Sequence, residues 1–359
     1  MNAPPRHSHP LEGSGLAGSF LRERWPLLVA LWVAISSNAA IIAVLWPKAQ
    51  AVDFAVFWRA VQALHPYAVN EQPFVYPPTA LLWFEPLRLV EVWPGYLIWN
   101  ASSILLFCAA ANWLYGRRAT ALAVISPAAV VGLIPGQTSL LASAVLFAAF
   151  AGQCRVGRGV LLGALLTFKP QLAVMAPLFL LVRRDWVALA AMAGTVLIVA
   201  AVTTVIFGPV IWSDWLSALP AFRQTVADRG LSMSAVSPAA FATSLGIPQL
   251  PLLALGCLAA LLIAARSASL DDRERAAMIV AASLCAAPYA LRYDMVAIAP
   301  AMAAVILAQT ARKASLLACV AYSATFGPFS VAAAAVVAGW RVLVPADDRP
   351  GVSNKADPC

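Results

Sequence analysis

The chain has 359 residues, of which 62% are hydrophobic and 11% are charged. Soluble domains are about half apolar and about a quarter charged, so this composition excludes an ordinary soluble enzyme, a disordered chain and a nucleic-acid-binding domain. A net charge of +8 would indicate an acidic partner in a soluble protein. In a membrane protein the positions of the basic residues matter more, because they report orientation.

The first uncharged stretch, 26–46, is long enough to cross a bilayer. An Ala-Gln-Ala sequence at 49–51 resembles the end of a cleaved signal peptide, but the apolar run is longer than a typical signal core and further runs follow. We therefore expect an uncleaved membrane anchor that follows a cytoplasmic tail over residues 1–25.

Apolar runs then alternate with basic residues along the chain. The runs cover 95–115, 119–152, 159–182, 186–211, 230–265, 276–291, 295–311 and 314–340. Three of them are interrupted by Pro or Gly, at Pro135-Gly136-Gln137, Lys169-Pro170 and Gly327-Pro328, and such residues mark a turn or a kink.

The basic residues distinguish hairpins from single kinked helices. Arg and Lys accumulate in the cytoplasmic loops of membrane proteins. The basic residues that lie between the apolar runs of this chain all face the cytoplasm only if each interrupted run crosses the membrane and returns. The segment 75–90 must then lie on the outer interface. The sequence thus predicts an all-α polytopic protein of the plasma membrane, with about twelve transmembrane helices and interfacial helices in the first external loop. A single domain spans 26–343, and both termini are cytoplasmic, including a tail over 344–359.

The runs on either side of Lys169 are short for a hydrocarbon core of about 30 Å, so their tip should lie below the outer surface, in a cavity. A cavity that opens outward and is sunk into the membrane suits a lipid-linked substrate. The six cysteines and three histidines show no metal-ligand spacing, so we expect neither a metal nor a cofactor.

Asp53 begins a predicted amphipathic helix just after the first apolar run. Phe54, Phe57, Val61 and Leu64 follow a helical spacing and would form its apolar face on the interface. Asp53 is either an N-cap or a carboxylate at the mouth of the cavity, able to accept a proton from a sugar hydroxyl.

Tyr76 is held extended by the following Pro77, and Pro78 can open the next helix. Tyr76 is either part of a plain turn or an aromatic wall for a sugar ring. Gln137, at the turn of a neighbouring predicted hairpin, is either a turn residue or a hydrogen-bonding partner of a sugar.

Lys169 is a lone cation in an apolar run. Inserting such a charge costs about 2.5–3.5 kcal/mol, so it usually has a partner and a role. A compact ammonium suits a phosphate group, and the alternative is a snorkelling lysine at a tight turn. Arg292 and Asp294, at a third external tip, either pair with each other or leave Arg292 to add charge to a phosphate site.

The chain resembles glycosyltransferase family 87, a family of membrane glycosyltransferases in the GT-C superfamily that was formerly a domain of unknown function. The resemblance extends from about Asp53 to Pro300. It lies in the sequences Asp53-Phe54…Phe57-Trp58-Arg59-Ala60, Tyr76-Pro77-Pro78…Pro86-Leu87, Gly136-Gln137, Gly163…Phe168-Lys169-Pro170-Gln171 and Pro288-Tyr289…Tyr293-Asp294.

The resemblance implies a GT-C-type helical bundle in a bacterial inner membrane. It implies transfer of a hexose or pentose, with mannose favoured, from a polyprenyl-phosphate donor to a lipid or glycan acceptor on the external face. Asp53 would be the catalytic base, and the donor phosphate would be bound by Lys169, Arg292 and Arg59. The sugar or the acceptor would contact Trp58, Tyr76, Gln137, Gln171, Tyr293 and Asp294.

Two features depart from the family. Many relatives carry a histidine near the position of Tyr293 or Asp294, and this chain has no histidine there or later. The second external segment, 208–247, is modest in length, which favours a small lipid acceptor over a polymer.

Two other functions are compatible with the composition. A flippase for a lipid-linked sugar would have two related halves with paired broken helices, and no internal repeat is evident. A polysaccharide polymerase or ligase would depend on the external arginines Arg223 and Arg229 more than on Asp53.

Overall fold

The computed structural model describes residues 15–68, 74–228, 235–266, 270–308 and 312–323. The regular structure in these ranges is helical, and a single β-bridge joins Ala235 to Leu291. The predicted break at Gly327-Pro328 and the predicted tail over 344–359 lie outside the described residues, as does Arg229.

Sixteen α-helices occupy the described ranges. They are α1 (Gly15–Ala49), α2 (Val52–Gln62), α3 (Ala80–Phe84), α4 (Val92–Tyr115), α5 (Arg117–Val124), α6 (Pro127–Leu133), α7 (Ser139–Phe150), α8 (Arg155–Phe168), α9 (Ala176–Val182), α10 (Trp186–Phe207), α11 (Val210–Asp228), α12 (Pro238–Ser244), α13 (Gln249–Arg266), α14 (Asp272–Ala286), α15 (Ala299–Ala308) and α16 (Arg312–Ser323). Short 3-10 helices cover Glu85–Leu89, Pro170–Leu172 and Arg292–Ala297.

Three helical segments of the described chain are long and apolar enough to cross a membrane. They are Trp25–Gln62, Val92–Tyr115 and Trp186–Phe207. The remaining apolar helices are shorter, including α7 and α15. The all-helical character of the prediction is therefore confirmed, and α1 begins ahead of the predicted boundary at residue 26.

The structure contains the predicted breaks at Pro135-Gly136-Gln137 and at Lys169-Pro170. Residues 134–138 separate α6 from α7, and residues 169–175 separate α8 from α9. The sequence did not predict a further break, between α5 and α6. It arises because the Ser126 hydroxyl accepts a hydrogen bond from the Ala129 amide and Pro127 occupies the first turn of α6.

Helix α2 buries the apolar face that its sequence predicts, with one exception. Phe54, Phe57 and Val61 are buried, but Leu64 is 96% exposed. The helix ends at Gln62 and the next residue is extended, so Leu64 leaves the helical face. The predicted four-residue apolar face is thus wrong at its last position.

The segment after α2 packs its short helices against the end of α8. The Thr79 hydroxyl donates to the Thr167 carbonyl at 2.6 Å, and the Trp83 ring lies 5.7 Å from that of Phe168. Phe84 stacks on Phe57 with ring centroids 4.6 Å apart. These contacts join α2, α3 and α8 into one wall.

Small residues let α8 lie very close to α10. A Cβ added at Gly159 would lie 2.2 Å from the carbonyl oxygen of Ala188, and one added at Gly163 would lie 2.7 Å from that of Met192. Such spacing is typical of membrane helices, where small residues permit backbone contact.

Gly159→Ala should therefore destabilise the protein by about 1–3 kcal/mol, because the added methyl group forces α8 away from α10. Gly194→Ala, within α10, is the matched control. No described atom lies within 4 Å of its added Cβ, and alanine is the better helix former. Thermal unfolding of both variants in one detergent checks the difference, and equal losses would contradict the close packing.

Candidate functional site

A cavity of about 660 Å³ opens beside α2, and its walls are mainly apolar. Cavities of about 300–1,000 Å³ with a few convergent polar groups are the usual form of a small-molecule site. Among the described lining residues, the charged ones are Asp53 and Arg292. The uncharged polar and aromatic lining residues include Tyr76, Gln137, Gln171, Trp215, Phe222, Thr225, Tyr289 and Tyr293.

The structure brings most of the predicted site residues together at this cavity. Those that line it are Asp53, Arg292, Tyr76, Gln137, Gln171 and Tyr293. They come from α2, from the segment before α3, from the turns at 134–138 and 169–175, and from the segment after α14.

The turn between α6 and α7 fixes the start of α2. The Pro135 carbonyl accepts hydrogen bonds from the backbone amides of Asp53, at 3.0 Å, and Phe54, at 2.9 Å. These bonds satisfy amides that a helix start otherwise leaves without partners. The N-cap position belongs to Ala51, which has a φ of 56°, so the interpretation of Asp53 as an N-cap is wrong.

The Asp53 carboxylate is held by a side chain of the same turn. Gln137 Nε2 donates to Asp53 Oδ2 at 2.6 Å. The Tyr76 hydroxyl donates to Gln137 Oε1 at 3.4 Å and lies 2.9 Å from Thr138 Oγ1. Because Tyr76 contacts the amide oxygen, the amide nitrogen faces the carboxylate, and Gln137 fixes the position of the Asp53 side chain in the cavity wall.

Tyr76 is a hydrogen-bonding and stacking group. Burial raises the pKa of Tyr76 well above its ordinary value, and the negative charges of Asp294 and Asp53 raise it further. The phenol therefore stays protonated at neutral pH and does not act as a base. Its ring packs edge-on against Phe57, with centroids 5.3 Å apart.

Lys169 lies behind the cavity wall, which differs from the predicted phosphate contact. Its side chain is fully buried, and Nζ lies 2.8 Å from Asp294 Oδ1. The ammonium also donates to Ser139 Oγ at 2.6 Å, and that hydroxyl donates to Asp294 at 3.0 Å. Because a carboxylate already compensates this ammonium in the interior, the structure gives Lys169 a structural role as one half of a buried ion pair.

Asp294 is buried rather than exposed to a sugar or acceptor. Its second oxygen accepts the backbone amide of Leu291 at 3.1 Å, so both carboxylate oxygens are engaged. The ring of Tyr293 lies over Lys169, with Nζ 4.9 Å from the ring centroid, and also lines the cavity. The buried pair thus supports the segment that carries Arg292 and Tyr293.

Trp58 and Arg59 are not among the described lining residues, in contrast to the prediction. Trp58 Nε1 donates to the Val90 carbonyl at 2.8 Å, and Arg59 is exposed, with Nε bonded to the Ala55 carbonyl at 3.1 Å. They follow Asp53 by five and six residues, which places them on other faces of α2.

Sequence reasoning missed three residues of the site. Thr138 and Ser139 follow Gln137 directly, and a run of three polar residues between two apolar helices was the available signal. Trp215 has the residue type of a membrane-interface anchor, but it lines the cavity, and its Nε1 donates a hydrogen bond to the Val75 carbonyl at 3.2 Å.

Comparison with known proteins identifies a family that the chain matches. The model of glycosyltransferase family 87 matches residues 74–291, more than half of the chain. The matched range contains Tyr76, Gln137 and Gln171, whereas Asp53 precedes it and Arg292 follows it. No curated protein and no solved structure matches significantly.

Gly136→Ala should loosen the contact between the turn and α2. Gly136 has a φ of +78°, and an added Cβ would lie 2.7 Å from the Cβ of Phe54. Gly246 also has a positive φ, +67°, but its added Cβ meets no described atom within 4 Å, so Gly246→Ala isolates the backbone cost. We expect Gly136→Ala to lose about 1–3 kcal/mol more in thermal unfolding, because only it adds overpacking. Equal losses would mean that the turn does not press on α2.

A double-mutant cycle tests the buried pair. Lys169→Met and Asp294→Leu should each destabilise the protein by about 3–5 kcal/mol, because each leaves one buried charge without a partner. The double variant should lose much less than the sum of the two, and thermal unfolding measures this coupling. Additive losses would contradict the pairing.

Proposed function

The chain belongs to glycosyltransferase family 87, and we propose that it transfers a sugar, with mannose favoured, from a polyprenyl-phosphate donor to a lipid or glycan acceptor. The observation that carries this proposal is an apolar cavity whose wall holds one carboxylate, Asp53, oriented by Gln137, together with one guanidinium, Arg292. The family implies membrane glycosyltransferase activity, and the donor, sugar and mechanism are parts of the proposal.

The lining of the cavity supports an amphiphilic substrate. A lipid-linked sugar needs apolar surface for its chain, and a few placed polar groups for its head. The apolar lining includes Leu45, Val52 and Val56 on one side and Leu219 on another. Tyr76, with its ring held against Phe57, supplies an aromatic surface for a sugar.

In the proposed reaction Asp53 is the general base. The acceptor hydroxyl gives its proton to the carboxylate, and its oxygen forms a bond to the anomeric carbon. The bond between that carbon and the phosphate oxygen breaks, and the electron pair leaves with the polyprenyl phosphate. One carboxylate suffices for this inverting displacement, because the phosphate leaves without an acid, whereas inverting glycoside hydrolases need two carboxylates.

Arg292 is the proposed phosphate partner. A cation that faces the leaving phosphate stabilises the charge that develops on it, and a guanidinium can do so with two parallel hydrogen bonds. Lys169 contributes indirectly, because its pair with Asp294 supports the segment of Arg292. Gln171 and Tyr293, also on the wall, are proposed contacts of the sugar or acceptor.

We also propose the GT-C-type arrangement of about twelve crossings, with the cavity on the external face and both termini cytoplasmic. The ends of α8 support this orientation. Arg155 and Arg158 lie at its start, whereas its other end leads to the cavity wall at Pro170. Basic residues concentrate on the cytoplasmic side of membrane proteins, so the cavity faces outward.

Asp53→Asn should lower the transfer rate by about 10²–10⁴-fold, the usual contribution of a general base. The amide keeps the shape of the side chain but accepts no proton. Glu91→Gln is the matched control, because Glu91 is an exposed carboxylate of the same predicted external segment and does not line the cavity. The measurement follows labelled polyprenyl-phosphate-mannose, then other donors, into lipid products of the purified protein in lipid.

Equal transfer by the wild type and a folded Asp53→Asn variant would overturn the role of Asp53 and leave the class of enzyme standing. Absence of transfer with every donor, together with movement of the donor across a vesicle membrane, would favour the flippase. In that case the movement should be insensitive to Asp53→Asn.

A further inference from the structure

A second cluster of charged residues lies at the end of α8 away from the cavity. Three segments meet there: the start of α8, the turn between α9 and α10, and the start of α14. The cluster comprises Arg155, Arg158, Arg183, Asp185, Asp272 and Arg275. None of these residues lines the cavity described above.

The cluster contains more positive than negative charge. Arg158 Nη1 lies 3.4 Å from Asp185, and its Nη2 lies 3.9 Å from Asp272. Arg275 Nη1 lies 2.5 Å from Asp272 Oδ1, the oxygen that Arg158 Nη2 also approaches, so two arginines share one carboxylate. The Arg158 and Asp185 side chains are only 11% and 10% exposed, which makes uncompensated charge costly at this position.

Several guanidinium donors of this cluster have no partner among the residues that the structure describes. Within the described residues Arg183 makes no ion pair or side-chain hydrogen bond, and its Nη1 is buried. The buried Nε atoms of Arg158 and Arg275 also have no partner there. Burial lowers the pKa of Arg183, and the positive charge of Arg158 lowers it further. Buried donors in native proteins are normally satisfied, so the cluster has the character of a site for an anion.

Its position indicates the source of that anion. Trp186 begins α10, one of the three span-length helices, and is 59% exposed. Val156 and Leu181 beside the cluster are also exposed, at 51% and 46%. Tryptophan is enriched where a membrane helix meets the headgroup region, and exposed apolar residues at the same level face acyl chains.

We propose that this cluster binds the phosphate of an anionic phospholipid headgroup at the membrane surface opposite the cavity. Basic pockets between helices on the cytoplasmic side have the required chemistry, and forked guanidinium donors match phosphate oxygens. The 14 residues of α8 separate the cluster from the cavity by about 21 Å, so the two sites share no contacting residue.

The test titrates the full-length protein in detergent with phosphatidylglycerol, phosphatidylcholine or inorganic phosphate. Native mass spectrometry counts the bound lipid, and thermal unfolding follows its effect on Tm. Phosphatidylglycerol should bind and raise Tm, whereas phosphatidylcholine and inorganic phosphate should not. Arg183→Gln should weaken phosphatidylglycerol binding about fivefold, as expected for the loss of one basic side chain beside an anionic lipid.

Arg118→Gln is the matched control. It removes the same charge from an exposed position at the start of α5, outside the cluster, and should bind as the wild type does. Unchanged binding by Arg183→Gln, equal binding of phosphatidylcholine, or an equal response to inorganic phosphate would each overturn the proposal. Should Arg183→Gln fail to fold, Arg183→Lys keeps the charge but loses the forked donors. Wild-type binding by folded Arg183→Lys would also overturn the proposal.

Discussion

The turn between α6 and α7 is the constraint on which the rest of the site depends. Its Pro135 carbonyl holds the start of α2, and three consecutive polar residues, two at the end of the turn and one at the start of α7, each reach a different part of the wall. Gln137 donates to Asp53, Thr138 meets Tyr76, and Ser139 bridges the buried pair behind the wall. One turn therefore sets the positions of α2, the segment before α3 and the segment after α14.

The buried pair explains why a largely apolar cavity carries so little charge. Lys169 and Asp294 neutralise each other inside the protein, and the two charged side chains left on the described wall are Asp53 and Arg292. An acid-base group and a phosphate partner are what the proposed transfer requires from charged residues. The charged residues that stabilise the interior, Lys169 and Asp294, are thus different from those proposed to act on the substrate, Asp53 and Arg292.

The sequence predicted the breaks at 134–138 and 169–175, because Pro and Gly interrupt helices through local geometry. It also singled out six of the residues that line the cavity, among them Asp53, Gln137 and Arg292. The partner of Lys169 lies 125 residues away along the chain, and no local pattern links it to Asp294. By contrast, the helical spacing of Trp58 and Arg59 from Asp53 already places them on other faces of α2, so their absence from the described cavity lining could have been predicted from the sequence.

The proposed mechanism requires that Asp53 carries the transfer and that Gln137 acts through it. The most direct measurement is the transfer rate of Gln137→Leu in two backgrounds, the wild type and Asp53→Asn. Gln137→Leu should lower the rate about tenfold in the wild type, because the carboxylate loses its orienting donor, and should have no further effect once Asp53 is an amide. Equal fold-losses in the two backgrounds would contradict the claim, because Gln137 would then act independently of the carboxylate.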